Sequence, residues 1–169
     1  MFLFSIRLAL AASLMISCGT NYPVSNSGPG TTTTTTKTTG VYNASEMQKD
    51  ILYYINQYRG SLGKKPLNFI DPAIEQADMH SANMASGRTA FGHDGFEQRV
   101  AIIAKTVGQV NAAAENVAYG NLSAKQVVDG WIKSPGHKKN IEGDYNLTGI
   151  GTARRKDGII YFTQIFLRK

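Results

Sequence analysis

The chain has 169 residues, 42% of them hydrophobic, with a formal charge of +6 at neutral pH. That length suits one ordinary domain with a real core, and the basic surplus is modest, scattered and without any nucleic-acid-binding motif, which excludes a nucleic-acid partner. The single cysteine, Cys18, excludes an intramolecular disulfide and a thiolate metal cluster.

Residues 1–17 combine one positive charge, Arg7, with an apolar run from Leu8 to Ile16 that is too short to span a bilayer, the layout of a secretory signal. The tetrad Met15-Ile16-Ser17-Cys18 resembles a bacterial lipobox, in which the cysteine is acylated and becomes the new N-terminus. Acyl chains on Cys18 would hold the protein on a membrane. Gly19 after the cysteine is compatible with delivery to an outer membrane where the cell has one. Residues 18–42 then turn to Thr, Ser, Asn, Gly and Pro, including "TTTTTTKTT". Such a segment has almost nothing to bury and reads as a disordered tether to a folded head at 43–169. Positive charge could favour anionic envelope polymers or phospholipid head groups.

Within the head, "SEMQ" at 45–48 fits a capping box between Ser45 and Gln48, and Met47, Ile51, Leu52, Ile55 and Tyr58 recur at helical spacing up to Gly60. "DP" at 71–72 predicts a second helix, capped by Asp71, whose stripe of Ile74, Ala77, Ser81, Met84 and Ala85 ends at Gly87. A third helix is expected over 95–105 with Phe96, Val100 and Ile103 inward. "ENVAYG" at 115–120 is expected to be extended or irregular. Ser123 and Gln126 form another capping box, for a helix carrying Val127, Val128 and Trp131 that must stop at Pro135.

The last third changes character. "LTGIGTARR" and "IIYFTQIFL" read as two strands joined through an "RKDG" turn, and the second, nearly all apolar, should be covered on both faces. "GIG" at 149–151 lacks the rest of a dinucleotide fingerprint and reads as a strand that needs close packing. Helices first and antiparallel strands afterwards imply an α+β domain.

The chain has three histidines. His80, about a quarter turn from the apolar stripe of the second helix, reads as a flank residue without a catalytic part. His93 in "FGHDG" and His137 after Pro135-Gly136 stand at element boundaries, where side chains from separate elements can converge. With Glu115 they are the right types for a His₂Glu zinc site with an open position, or for acid/base chemistry without metal. Spacing alone decides neither. A Ser134/His137 nucleophilic pair has no identified orienting acid.

The ordered set "FGH" (91–93), "ENVAYG" (115–120), "WIKSPGHKKNI" (131–141), "LTGIGTA" (147–153) and "YFTQIF" (161–166) closely resembles bacterial members of the CAP superfamily, the cysteine-rich secretory, antigen 5 and pathogenesis-related proteins, also called SCP domains. The resemblance spans about 44–169. It implies a three-layer α-β-α sandwich with a small central antiparallel sheet, and a cleft of two histidines and two glutamates. His93, Glu115 and His137 match three of these. The fourth does not carry over, since Ser134 stands three residues after Trp131 where many eukaryotic relatives have glutamate. Divalent-metal binding, Zn²⁺ or another cation, through His93 and His137 should therefore be weaker than at a full site. The resemblance fixes the fold more firmly than the function, and two functions are expected alternatives. One is a membrane-anchored extracytoplasmic binding module for a small apolar, lipid- or sterol-like ligand, an envelope glycan or a partner protein. The other is a metal-assisted hydrolase or peptidase using His93, Glu115 and His137.

Overall fold

The computed structural model describes residues 42–169. The signal segment, Cys18 and the tether up to residue 41 lie outside the described residues. The first helix, α1 (Ala44–Ser61), begins two residues earlier than the Ser45 box predicts. Asn43 caps it, its side chain accepting from the Glu46 N–H at 3.3 Å. Asparagine caps at least as well as serine, and this start leaves Gln48 free to turn inward, where it donates to Asp78 at 2.7 Å.

After a two-residue strand, β1 (Asn68–Phe69), the helix α2 (Asp71–Ser86) opens with Ile70 in the cap position. Asp71 is thus its first helical residue instead of its cap. Gly87 ends α2 in the left-handed region at φ 73°, where its N–H reaches the Asn83 and Met84 carbonyls. Helix α3 (Phe96–Val107) runs slightly past the predicted end, and "ENVAYG" is the second half of a regular strand, β2 (Ala112–Gly120). In α4 (Ala124–Lys133) both halves of the Ser123–Gln126 box form. Pro135 does end α4, but it also starts a further short helix, α5 (Pro135–Ile141), because proline suits a first helical position as well as it breaks an interior one. The hairpin of β3 (Leu147–Arg154) and β4 (Ile160–Arg168) completes the chain.

The sheet order is β1-β3-β4-β2. Its long strands pair antiparallel as expected, whereas the short β1 pairs parallel with β3, a departure from a wholly antiparallel sheet. β4 is central, and its alternating side chains build a core on each face. Phe162 and Phe166 meet Ile51, Ile55, Val127, Val128 and Trp131 of α1 and α4. Ile165 and Leu167 meet Ala73, Ala77 and Ile103 of α2 and α3. The result is the expected three layers, α1, α4 and α5 over one face and α2 and α3 over the other.

Close contact of α2 with β3 explains "GIG". A β-carbon added to Gly149 would stand 2.0 Å from the Ala73 carbonyl carbon, and one added to Gly151 2.1 Å from that of Ala77. On the opposite face, buried Arg59 fixes the segment after α5 by donating to the carbonyls of Ile141 at 2.6 Å, Gly143 at 3.0 Å and Tyr145 at 3.1 Å. Among the described residues no helix is long and apolar enough to cross a membrane.

Candidate functional site

Glu115 and Asn116 are adjacent on β2 and therefore point to opposite faces of the sheet. Each organises one side. Asn116 faces α5, donating to the His137 carbonyl at 3.2 Å and accepting from Asn140 at 2.9 Å. Asn140 also donates to the Glu115 carbonyl at 3.2 Å. These bonds seat α5 on the strand and place His137 in its first turn, just past the boundary between α4 and α5.

On the other face the Glu115 carboxylate is almost wholly enclosed, with 1% of its side chain exposed. It is held by a residue that sequence reasoning missed. Arg99 of α3 donates Nε–H to Oε2 at 2.9 Å and Nη2–H to Oε1 at 2.7 Å, a bidentate pair. Its Nη1 reaches the Asp94 carbonyl at 2.8 Å and His80 Nδ1 at 3.3 Å, and Nη2 extends to the His93 carbonyl at 3.5 Å. All five guanidinium hydrogens thus have a partner. A signal existed, since Arg99 lies between Phe96 and Ile103 at the i, i+3, i+7 spacing of the inward stripe, and a cation there requires a buried anion.

His80 was misplaced as a flank residue. It is 3% exposed and belongs to the same network. Its Nε2 stands 2.9 Å from the Gly92 carbonyl, which can only accept, so Nε2 carries the hydrogen and Nδ1 accepts from Arg99. Burial holds its pKa below the usual histidine range, aided by the Arg99 charge and opposed by the Gly92 bond. A neutral ring is what an acceptor for Arg99 must be. Together His80 and Arg99 pin the loop between α2 and α3, and with it His93.

His93 approaches Glu115 from the solvent side, its side chain 53% exposed and its Nδ1 3.0 Å from Oε1. A carboxylate accepts, so Nδ1–H donates and Nε2 is left open outward. Chemically Glu115 is an orienter of His93, already neutralised by Arg99. Burial holds the pKa of His137 below the usual histidine range, and the proximity of His93 lowers it further. Among the described residues its ring makes no hydrogen bond. Ser134, at the junction of α4 and α5, lines a groove of about 310 Å³ with His137 and Trp131. The structure therefore joins His93 to Glu115 directly and sets His137 and Ser134 along an adjoining wall. Arg99 and His80 complete the constellation from behind.

The family model for the cysteine-rich secretory protein family, CAP, matches residues 52–166. The chain is similar to the uncharacterized membrane protein YlbC of Bacillus subtilis, 30% identical over 138 residues that make up 72% of this chain and 34% of that protein. It thus spans about a third of that relative's length. An outer surface protein of Borrelia burgdorferi has a similar structure, with TM-score 0.64 and 25% identity over 76% of this chain and 96% of that one. So does an extracellular protein of Bacillus anthracis containing a SCP domain, with TM-score 0.64, 22% identity, and coverage of 75% and 41%. The chain belongs to the cysteine-rich secretory protein (CAP) family.

Proposed function

We propose that the chain is an extracytoplasmic binding module, tethered to the cell envelope by a lipidated Cys18, and that its His93/Glu115/His137 cleft and the adjoining groove hold a ligand without transforming it. The candidate ligands are a small apolar molecule, an envelope glycan or a partner protein. One observation carries this reading: both oxygens of Glu115 are occupied by the buried Arg99 guanidinium. A carboxylate so engaged, with 1% of its side chain exposed, presents neither oxygen freely to a substrate or a dication. Ser134 offers no substitute, since among the described residues its hydroxyl makes no hydrogen bond to either histidine.

The hydrolase reading draws support from His93, whose outward Nε2 is backed by a carboxylate as in a general base. The same two imidazoles, His93 and His137, could hold a divalent cation such as Zn²⁺ with Glu115 orienting His93 from behind. Among the described residues no third acidic, histidine or cysteine ligand joins them. Such an ion would be held more weakly than at sites with three protein ligands.

Turnover assays on the full chain decide between the readings. A panel of peptides and esters, with and without Zn²⁺, should show no hydrolysis above background. Hydrolysis that disappears in both His93→Ala and Glu115→Gln would overturn the binding reading. Zn²⁺ titration of the same proteins should show at most weak binding that is lost in His93→Ala and His137→Ala.

A further inference from the structure

β2 is an edge strand, because β4 lies on one side of it only. Along an antiparallel strand, main-chain polar groups of successive residues point alternately toward the neighbour and away. Two observations fix which is which. Asn140 reaches the Glu115 carbonyl although it lies outside the sheet. Asn146, entering β3, donates to the Leu167 carbonyl, so Leu167 and Ile165 direct their main chains to β3, and Ile165 is the residue opposite Glu115. Ala113, Glu115, Val117 and Tyr119 therefore present their main chains outward.

Hydrogen-bonded cover along that edge stops halfway, where Val117 lines the groove with 4% of its surface exposed and Tyr119 with 57%. Asn140 closes it at Glu115, but among the described residues the N–H and C=O of Val117 and Tyr119 have no partner. Folded proteins normally cover an open edge or guard it with charge or proline. The run Val117-Ala118-Tyr119-Gly120 has neither.

What lies beside this open edge is a built groove. It is the 310 Å³ groove of Trp131, Ser134 and His137, walled further by Phe91 and Leu122. Phe91 and Tyr119 are 48% and 57% exposed and meet edge-to-face at 4.8 Å, with Tyr119 stacked in turn on Tyr161. Trp131 is only 2% exposed, yet among the described residues its buried indole N–H has no partner. Among the described residues the hydroxyl of Ser134 and the ring of His137 likewise make no hydrogen bond. No lining residue is Asp, Glu, Lys or Arg, so the complementary surface is uncharged.

We propose that an uncharged, extended peptide segment of a partner protein docks in this groove by adding as a strand to the outer edge of β2 at Val117 and Tyr119. The inference rests on the binding reading above and names its ligand. Main-chain bonds, about four at most from two outward-facing residues, supply the register. Alternate side chains of the peptide fall to opposite sides. Those on the α4 side meet Leu122 and Trp131, and those on the other meet Phe91 and Tyr119.

The test is amide hydrogen exchange on the isotope-labelled full chain with three probes. These are a capped peptide of alternating valine and threonine, the same peptide N-methylated at every second residue, and an N-acetylglucosamine tetramer. The plain peptide should slow exchange at Val117 and Tyr119 by about tenfold or more, while the N-methylated twin and the sugar do not. Absence of that slowing, equal slowing by the twin, or slowing by the sugar would overturn the proposal. So would slowing without peptide that rises with protein concentration as the mass doubles, which would mean that two copies pair. Tyr119→Pro removes one outward N–H, a change an edge strand tolerates, whereas Tyr119→Ala keeps it. The proline variant should bind the peptide about tenfold more weakly than the alanine variant, and equal affinity would refute strand addition. Mass analysis of the peptide separates the two readings. Cleavage abolished by His93→Ala would refute the non-catalytic module alone, whereas an intact but unbound peptide would refute strand addition alone.

Discussion

Replacing Arg99 by methionine keeps much of the side chain's apolar stem and removes the cation from Glu115. The carboxylate, 1% exposed, would retain His93 at 3.0 Å and lose both bidentate bonds. Breaking a buried ion pair from one side costs about 3–5 kcal/mol, because the remaining charge is left uncompensated. The lower end applies here. Arg99 borders an open cavity of about 380 Å³ between α2 and α3, rimmed by Met79 and Ile102, through which water can reach the vacated side. A loss of about 3 kcal/mol is expected, a fifth or more of the 5–15 kcal/mol that stabilises a typical domain. Urea unfolding of the full chain, followed by circular dichroism, should show the midpoint falling by roughly 1.5 M for a slope of about 2 kcal/mol/M. Arg99→Met with Glu115→Gln should recover about half of the loss, since the second change removes the stranded charge. A single-variant loss below about 1 kcal/mol, or a double variant equal to the sum of the singles, would refute the claim that this pair organises the site.

Gly151→Ala should destabilise by about 3 kcal/mol, because its β-carbon would lie 2.1 Å from the Ala77 carbonyl carbon. In the same thermal melts Gly136→Ala, facing open space within α5, should be neutral or stabilising by up to about 1 kcal/mol. His80 and His137 titrate below their ordinary 6.5 when folded, so the unfolded chain takes up their protons first. Stability should then fall as pH drops from about 7 toward 5, and His80→Gln should flatten the slope measured by unfolding at a series of pH values. If Cys18 carries the anchor, Cys18→Ala should move the protein from the membrane pellet to the soluble fraction, and unchanged partitioning would refute the lipid anchor.

Where local chemistry decided a feature, the sequence displayed it. The Ser123–Gln126 box forms as read, "GIG" is a close-packing site, and the apolar run of β4 is covered on both faces. Features decided by distant partners were less legible. β1 is two residues long and exists only because β3 passes beside it. Pro135 reads as a stop from the helix behind it and as a start only once Asn116 and Asn140 are seen to dock α5. His80 and Arg99 sit at inward positions of α2 and α3, but their value depends on Glu115, carried by a strand whose pairing lies some fifty residues further on, with β4. A polar residue on an apolar stripe announces that a buried partner must exist without saying which.

Those same dependencies change what "EN" means as a motif. Read as a list of cleft residues, Glu115 is a candidate acid or ligand and Asn116 is incidental. In the fold the two residues are the opposite faces of one strand position, and each secures a different histidine. Glu115, locked by Arg99, aims His93 outward; Asn116 seats α5 and so sets His137. Neither side chain is left free to react, and past them the strand edge opens. In the proposed reading, function shifts from the carboxylate to the rim it supports, with the half-exposed His93, the half-buried ring of His137 and the exposed Tyr119 as its points of contact.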